Sequence, residues 1–255
     1  ITKLTRDGTT LVLSCEGWGH SGRKFNRLDL LERLGLRPEV VYFVRPPLDW
    51  LNAAWWQWGA WTGLSFEEWL EEQGSRGIAW DTHAANWQRL AAVRHLHLRV
   101  MTADVVRSFG QILGCTWSSP DHTNTGSPEL LLRYLQEDRS LRPGEHNSII
   151  EFILNRWVDW PERRAPWIIP RHLQEEIMST YSPHAERLLA LASPESRPSI
   201  EEDERWWSAE PYEQRDIDDD IRQLTPDERD VLIRALIDGI ANLDRKYRQL
   251  DSSGG

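Results

Sequence analysis

Apolar and polar positions along the chain follow two periods. Short continuous apolar runs over Thr9–Ser14 (TTLVLS) and Val40–Val44 (VVYFV) predict strands, the second ended by Pro46-Pro47. Leu96–Met101 (LHLRVM) alternates and predicts a third. Between them the period lengthens to three or four, predicting helices over Leu28–Leu34, Asp49–Trp61, Phe66–Glu72 and Asp81–Ala92. Another helix opens at Thr102-Ala103-Asp104 and runs to Leu113, with Gly35 and Gly114 as helix stops. A run as apolar as Val40–Val44 belongs to a sheet covered by helices on both faces. The order β-α-β-α-α-α-β-α predicts an α/β fold, a doubly wound parallel sheet in three layers.

The character changes after Cys115. A polar loop over Ser118–Pro128 leads to a helical C-terminal half, Pro128–Glu137, Glu145–Trp157 and Pro170–Leu191. Residues 193–224 are rich in acid, Pro and Ser and predict an extended or partly ordered linker. Thr225-Pro226-Asp227-Glu228 is a capping box with Pro at the first helical position. It starts an amphipathic helix over 225–251, with Leu232, Leu236, Ile240, Leu243, Tyr247 and Leu250 on one stripe. That helix either packs back on the domain or forms a seam for a protein partner or a second copy. The expected organisation is an α/β domain over 1–192, an acidic linker over 193–224, the helix over 225–251 and a flexible tail over 252–255.

Composition narrows the function classes. The net charge of −10 argues against nucleic acid as a partner, because phosphate backbones are bound by clustered Lys and Arg. Much of the acid lies beyond Pro194, so the first two-thirds retain room for a locally positive pocket. No stretch is apolar enough for a transmembrane span. Two cysteines, Cys15 and Cys115, suit reduced thiols and a cytoplasmic location rather than a disulfide framework. The 15 Trp residues read either as large core side chains or as flat platforms for sugar or adenine rings.

The segment Val40–Trp58 (VVYFVRPPLDWLNAAWWQW) resembles the strand–loop–helix of the sulfotransferase family, in which a buried strand ends in Arg before an aromatic-rich helix. Leu11–Glu16 resembles the strand of bacterial members that ends in a Ser-Ser-Glu-like sequence. Phe66–Leu70, Trp87, Leu96–Met101 and the helix from Asp104 to Gly114 follow in the family's order, as do the regions of Asn147 and of Ile168–Pro170. The resemblance covers roughly residues 9–192. It implies that Arg45 binds the 3′-phosphate of the donor 3′-phosphoadenosine 5′-phosphosulfate, with no metal required. A guanidinium at the carboxyl end of a parallel strand suits that role, because it presents a two-donor fork beside a helix N-terminus. The bland reading of Arg45 is a surface cation paired with Asp49.

Two departures from the family pattern stand out. Its Gly-, Lys- and Ser/Thr-rich phosphate loop is expected upstream of Thr9; Gly19–Lys24 (GHSGRK) has the look of such a loop but lacks the Gly-Lys-Ser/Thr ending and follows the wrong strand. The family's second 3′-phosphate donor, a Ser two helical turns after the Arg, falls at Ala53, with Asn52 beside it as a substitute donor.

For transfer to a hydroxyl or amine of a small-molecule or glycan acceptor, the candidate acid–base groups are Glu16 and His20, just past the first expected strand. His95 and His97 share one face of their strand, a placement compatible with a metal pair but lacking a third ligand. The alternative to an enzyme is a sulfotransferase-like scaffold, catalytically degenerate, that binds or assembles through its Trp-rich surface and C-terminal helix.

Overall fold

The computed structural model describes residues 10–102, 104–117, 126–160, 166–215 and 223–253. Strands β1 (Glu39–Val44) and β2 (His95–Val100) pair in parallel, in register from Glu39↔His95 to Val44↔Val100. The fold is α/β, mostly helical, with a two-stranded sheet among the described residues. The strands connect through helices α1 (Pro47–Gln57) and α2 (Trp80–Gln88) and the short helical turns between them. Helices α3 (Val105–Ile112), α4 (Glu129–Glu137), α5 (Ile149–Trp157), α6 (Arg171–Leu191) and α7 (Pro226–Ser253) follow.

The sheet is two-faced. Tyr42, Val44, Leu96 and Leu98 are buried on one side, whereas Glu39, His95, His97 and Arg99 occupy the other and are exposed or half-buried. The strand expected at Thr9–Ser14 is corrected: Thr9 lies outside the described residues, and 10–14 form no strand. Leu11, Val12 and Leu13 remain exposed there, because an apolar run becomes a strand only where another strand completes its ladder.

Helix α1 follows directly from its sequence. Pro47 sits at the first position, where its missing N–H costs nothing, and Leu48, Leu51 and Trp55 form the buried stripe. The helix ends at Gln57 rather than Trp61, and a 3-10 turn over Gly59–Trp61 turns the chain back. Trp55, Trp56 and Trp61 therefore all enter the core, and Trp61 Nε1 donates to the Trp56 carbonyl at 2.9 Å. Nine of the 15 Trp side chains are core residues. Indoles in and against this core meet edge-on, as in Trp50–Trp80 (5.3 Å, 88°) and Trp55–Trp69 (5.7 Å, 71°). Backbone makes room for them: Gly59, Gly74 and Gly77 lie where a Cβ would strike the rings of Trp55, Trp69 and Trp50.

Buried Arg142 joins this core to the C-terminal half. It donates to the Gln57 carbonyl at 2.7 Å, lies 4.0 Å over the Trp61 ring and pairs with Glu151. Burial pushes its guanidinium down to about 10. Helix α3 is built as its sequence predicts, with Asp104 accepting from the Arg107 N–H at 2.9 Å and Gly114 stopping it at φ +67.

Of the segment expected to be an extended or partly ordered linker, residues 193–215 are folded. Short helical turns bury Ile200, Trp206 and Tyr212 completely, because three large apolar side chains outweigh an acidic surface. Residues 216–222 of that segment lie outside the described residues. The capping box forms as expected: the Thr225 N–H donates to Glu228 at 2.8 Å and the Glu228 N–H to Thr225 Oγ1 at 3.3 Å. Arg133 forks onto the same carboxylate at 2.8 and 3.2 Å, tying α7 to α4. Leu232 and Ala235 of α7 are buried, and Gly239 fits against Val158 at the end of α5. Of the expected tail, residues 252–253 belong to α7 and 254–255 lie outside the described residues. Among the described residues no helix is long and apolar enough to cross a membrane.

Candidate functional site at the mouth of the sheet

The carboxyl end of β1 runs into α1 through Arg45 and Pro46. Trp80 Nε1, at the start of α2, donates to the Arg45 carbonyl at 3.1 Å and pins the turn. The Arg45 side chain is half-buried, and its Nε donates to Met101 Sδ at 2.7 Å, just beyond β2. Arg45 thus stands where parallel sheets receive ligands, beside the N-terminus of an eleven-residue helix.

Asp49, in the first turn of α1, takes other partners. Arg205 donates to it at 2.9 Å and Arg215 lies 3.7 Å from its second oxygen. Arg205 is also forked by Asp203 at 2.8 and 2.7 Å, and those bonds push its guanidinium further up. Arg215 stacks over Trp167 and Tyr212, whose rings lie parallel 5.2 Å apart. The folded 193–215 segment therefore brings three charged groups to the mouth of the sheet.

Asn52 is buried and its amide is engaged at both ends: Nδ2 donates to the Pro166 carbonyl at 3.2 Å, and Oδ1 accepts from the Ile168 N–H at 3.0 Å. Its role here is to fasten the 166–168 segment to α1. Ala53 is half-buried and brings no side-chain donor.

A second group lies at the start of α2. Asp81 is buried one residue after Trp80 and accepts from His184 Nδ1 at 2.8 Å and Arg187 Nε at 2.6 Å. Burial raises the Asp81 carboxyl, but the bonds from His184 and Arg187 and the Thr82 N–H outweigh it, and the net displacement is downward. An ionised carboxylate only accepts, so His184 carries its proton on Nδ1 and Nε2 is the second ring nitrogen. His184 lines a narrow cleft with Pro47, Trp80, Tyr181 and Trp206. A carboxylate that orients an imidazole beside an aromatic cleft is equipped for proton transfer.

His20 is exposed and its Nδ1 lies 3.0 Å from His83 Nε2, with the rings edge-on. Partial burial, and then the neighbouring His83, push the His20 imidazole below its usual range. Glu16 opens a 3-10 turn over Glu16–Trp18, and its side chain lies outside the described residues. Neither residue has a hydrogen bond to Arg45 or Asn52 among those described.

His95 and His97 do share a face, with ring centroids 4.3 Å apart, and His97 Nε2 lies 3.0 Å from Glu39. Burial and the adjacent Arg99 hold the His97 imidazole below its usual range. Among the described residues no three His, Cys, Asp or Glu side chains gather as a metal site. Asp81, His184 and Arg187 were not legible as a site, because Asp81 and His184 are 103 positions apart; the helical spacing of His184 and Arg187 was the one local signal.

No protein-family model, curated protein or solved structure matches this chain.

Proposed function

We propose that the chain is a sulfotransferase-like domain that holds 3′-phosphoadenosine 5′-phosphosulfate at the mouth of the sheet, with Arg45 on the 3′-phosphate. The observation that carries this is the position of Arg45, between the carboxyl end of β1 and the first turn of α1. The doubly wound sheet expected of that family belongs to the proposal. The proposal rests the 3′-phosphate on Arg45 rather than on Asn52 or Ala53, because the Asn52 amide already bonds the 166–168 segment through both its nitrogen and its oxygen.

In the proposed reaction an acceptor oxygen or nitrogen, a small-molecule or glycan hydroxyl or amine, attacks sulfur as the bond from sulfur to the 5′-phosphate oxygen breaks. The bisphosphate leaves with the electron pair, and the acceptor proton passes to a base. Glu16 and His20 remain candidates for that base. His184 joins them, with Nε2 as the nitrogen that takes the proton while Asp81 holds Nδ1.

The test is titration calorimetry with 3′-phosphoadenosine 5′-phosphate on the wild type and Arg45→Ala. A loss of about 2 kcal/mol or more supports the assignment, the scale of truncating a charged hydrogen-bond partner. Equal binding rejects it. A catalytically degenerate binding scaffold is the alternative, favoured by the missing donor at Ala53 and the apolar surface of α7, and it is expected to show no binding at all.

A further inference from the structure

Helix α7 buries only part of its apolar surface. Leu232, Ala235 and Gly239 face the domain. Ile233, Ile237, Ile240, Leu243 and Tyr247 do not: they are 52, 59, 68, 41 and 65% exposed. At about 100° per residue these five fall within an arc of about 120°, a continuous stripe along the helix. Isolated exposed apolar residues need no explanation, but a stripe of this length marks an interaction surface.

The charges beside the stripe identify what covers it. Asp230, Arg234, Asp244 and Arg248 are all exposed and lie on one flank, within about 80° of one another. They are arranged symmetrically about residue 239 and opposite in sign. Asp230 and Arg248 lie nine residues to either side, and Arg234 and Asp244 five to either side. When two copies of a helix pack antiparallel about a two-fold axis, the same flank of each copy meets across the axis. A two-fold at residue 239 therefore sets Asp230 against Arg248 and Arg234 against Asp244, each pair twice. The same register brings Ile233 near Tyr247 and Ile237 near Ile240 in the apolar seam. A parallel pair would instead face these charges toward the Leu236 and Leu243 side of the partner helix.

We propose that α7 associates with α7 of a second copy of this chain, antiparallel and in that register. The surface fits itself in shape of pattern and in charge, and it rests on none of the donor-site residues.

The test uses the whole chain in sedimentation velocity, with circular dichroism as the check on folding. The wild type is expected to be a concentration-dependent dimer. Arg234→Asp alone and Asp244→Arg alone each create two like-charge contacts per dimer and are expected to weaken association by about tenfold. The double variant Arg234→Asp/Asp244→Arg restores opposite charges across the axis and is expected to recover wild-type association. Ile240→Glu is expected to give a folded monomer. A wild type that stays monomeric at every concentration overturns the proposal. So does a dimer indifferent to the single swaps, or one that the double variant fails to restore.

Discussion

His184 Nδ1 donates to Asp81 Oδ1 at 2.8 Å, joining α6 to the first turn of α2. With Arg187 on the other oxygen, the buried carboxylate has a partner on each lone-pair side. Asp81→Asn is expected to lower unfolding stability by about 1–3 kcal/mol, less than for a fully buried ion pair because both partners reach solvent. Urea denaturation measures it, and an unchanged midpoint would show that the cluster contributes nothing to α2–α6 docking.

The Thr225–Glu228 capping box makes acid sensitivity specific. Bonds from Arg133, together with the Thr225 N–H, hold the Glu228 carboxyl down at about 2, against 4.5 for an ordinary glutamate. A carboxyl lowered on folding contributes stability that is full above its unfolded value and fades as pH falls toward the folded one. The stability gap between wild type and Glu228→Gln should accordingly be constant above 4.5 and close as pH falls toward about 2. A gap that widens on acidification would have the wrong sign.

Gly77 lies directly against the Trp50 indole, where a Cβ has no room. Gly77→Ala is expected to destabilise by about 1–3 kcal/mol, as overpacking does. Gly126→Ala, with no described residue within 4 Å of its Cβ, is expected to stay within about 0.5 kcal/mol of wild type. Thermal melts of the two variants side by side measure the contrast.

Asn52→Ala removes the partner of the Ile168 N–H and leaves a buried donor unsatisfied. A loss of about 1–3 kcal/mol in unfolding stability is expected, with bisphosphate affinity unchanged in calorimetry. An affinity loss without a stability loss would return Asn52 to the phosphate site.

The parts of this fold that were legible in the sequence are those whose signals are local. Val40–Val44 and Leu96–Met101 announce strands by apolar pattern, Pro47 starts α1, Gly114 stops α3 and Thr225–Glu228 starts α7. Long-range outcomes were hidden. Leu11–Leu13 has strand composition but no ladder partner among the described residues, a fact that no local window contains. Trp206 and Tyr212 are submerged in acidic sequence, so composition pointed to a linker where two aromatic anchors fold the chain onto the core. At the site, Arg45 was legible because it terminates a strand. Asp81 and His184 were not, since only the docking of α6 on α2 brings them together.

The position of Arg45 is the center of the functional proposal, and calorimetry with 3′-phosphoadenosine 5′-phosphate addresses it directly. The expected result is binding by the wild type that weakens by about thirtyfold or more in Arg45→Ala, equivalent to about 2 kcal/mol. Identical affinities, or no binding by a folded wild type, would contradict it.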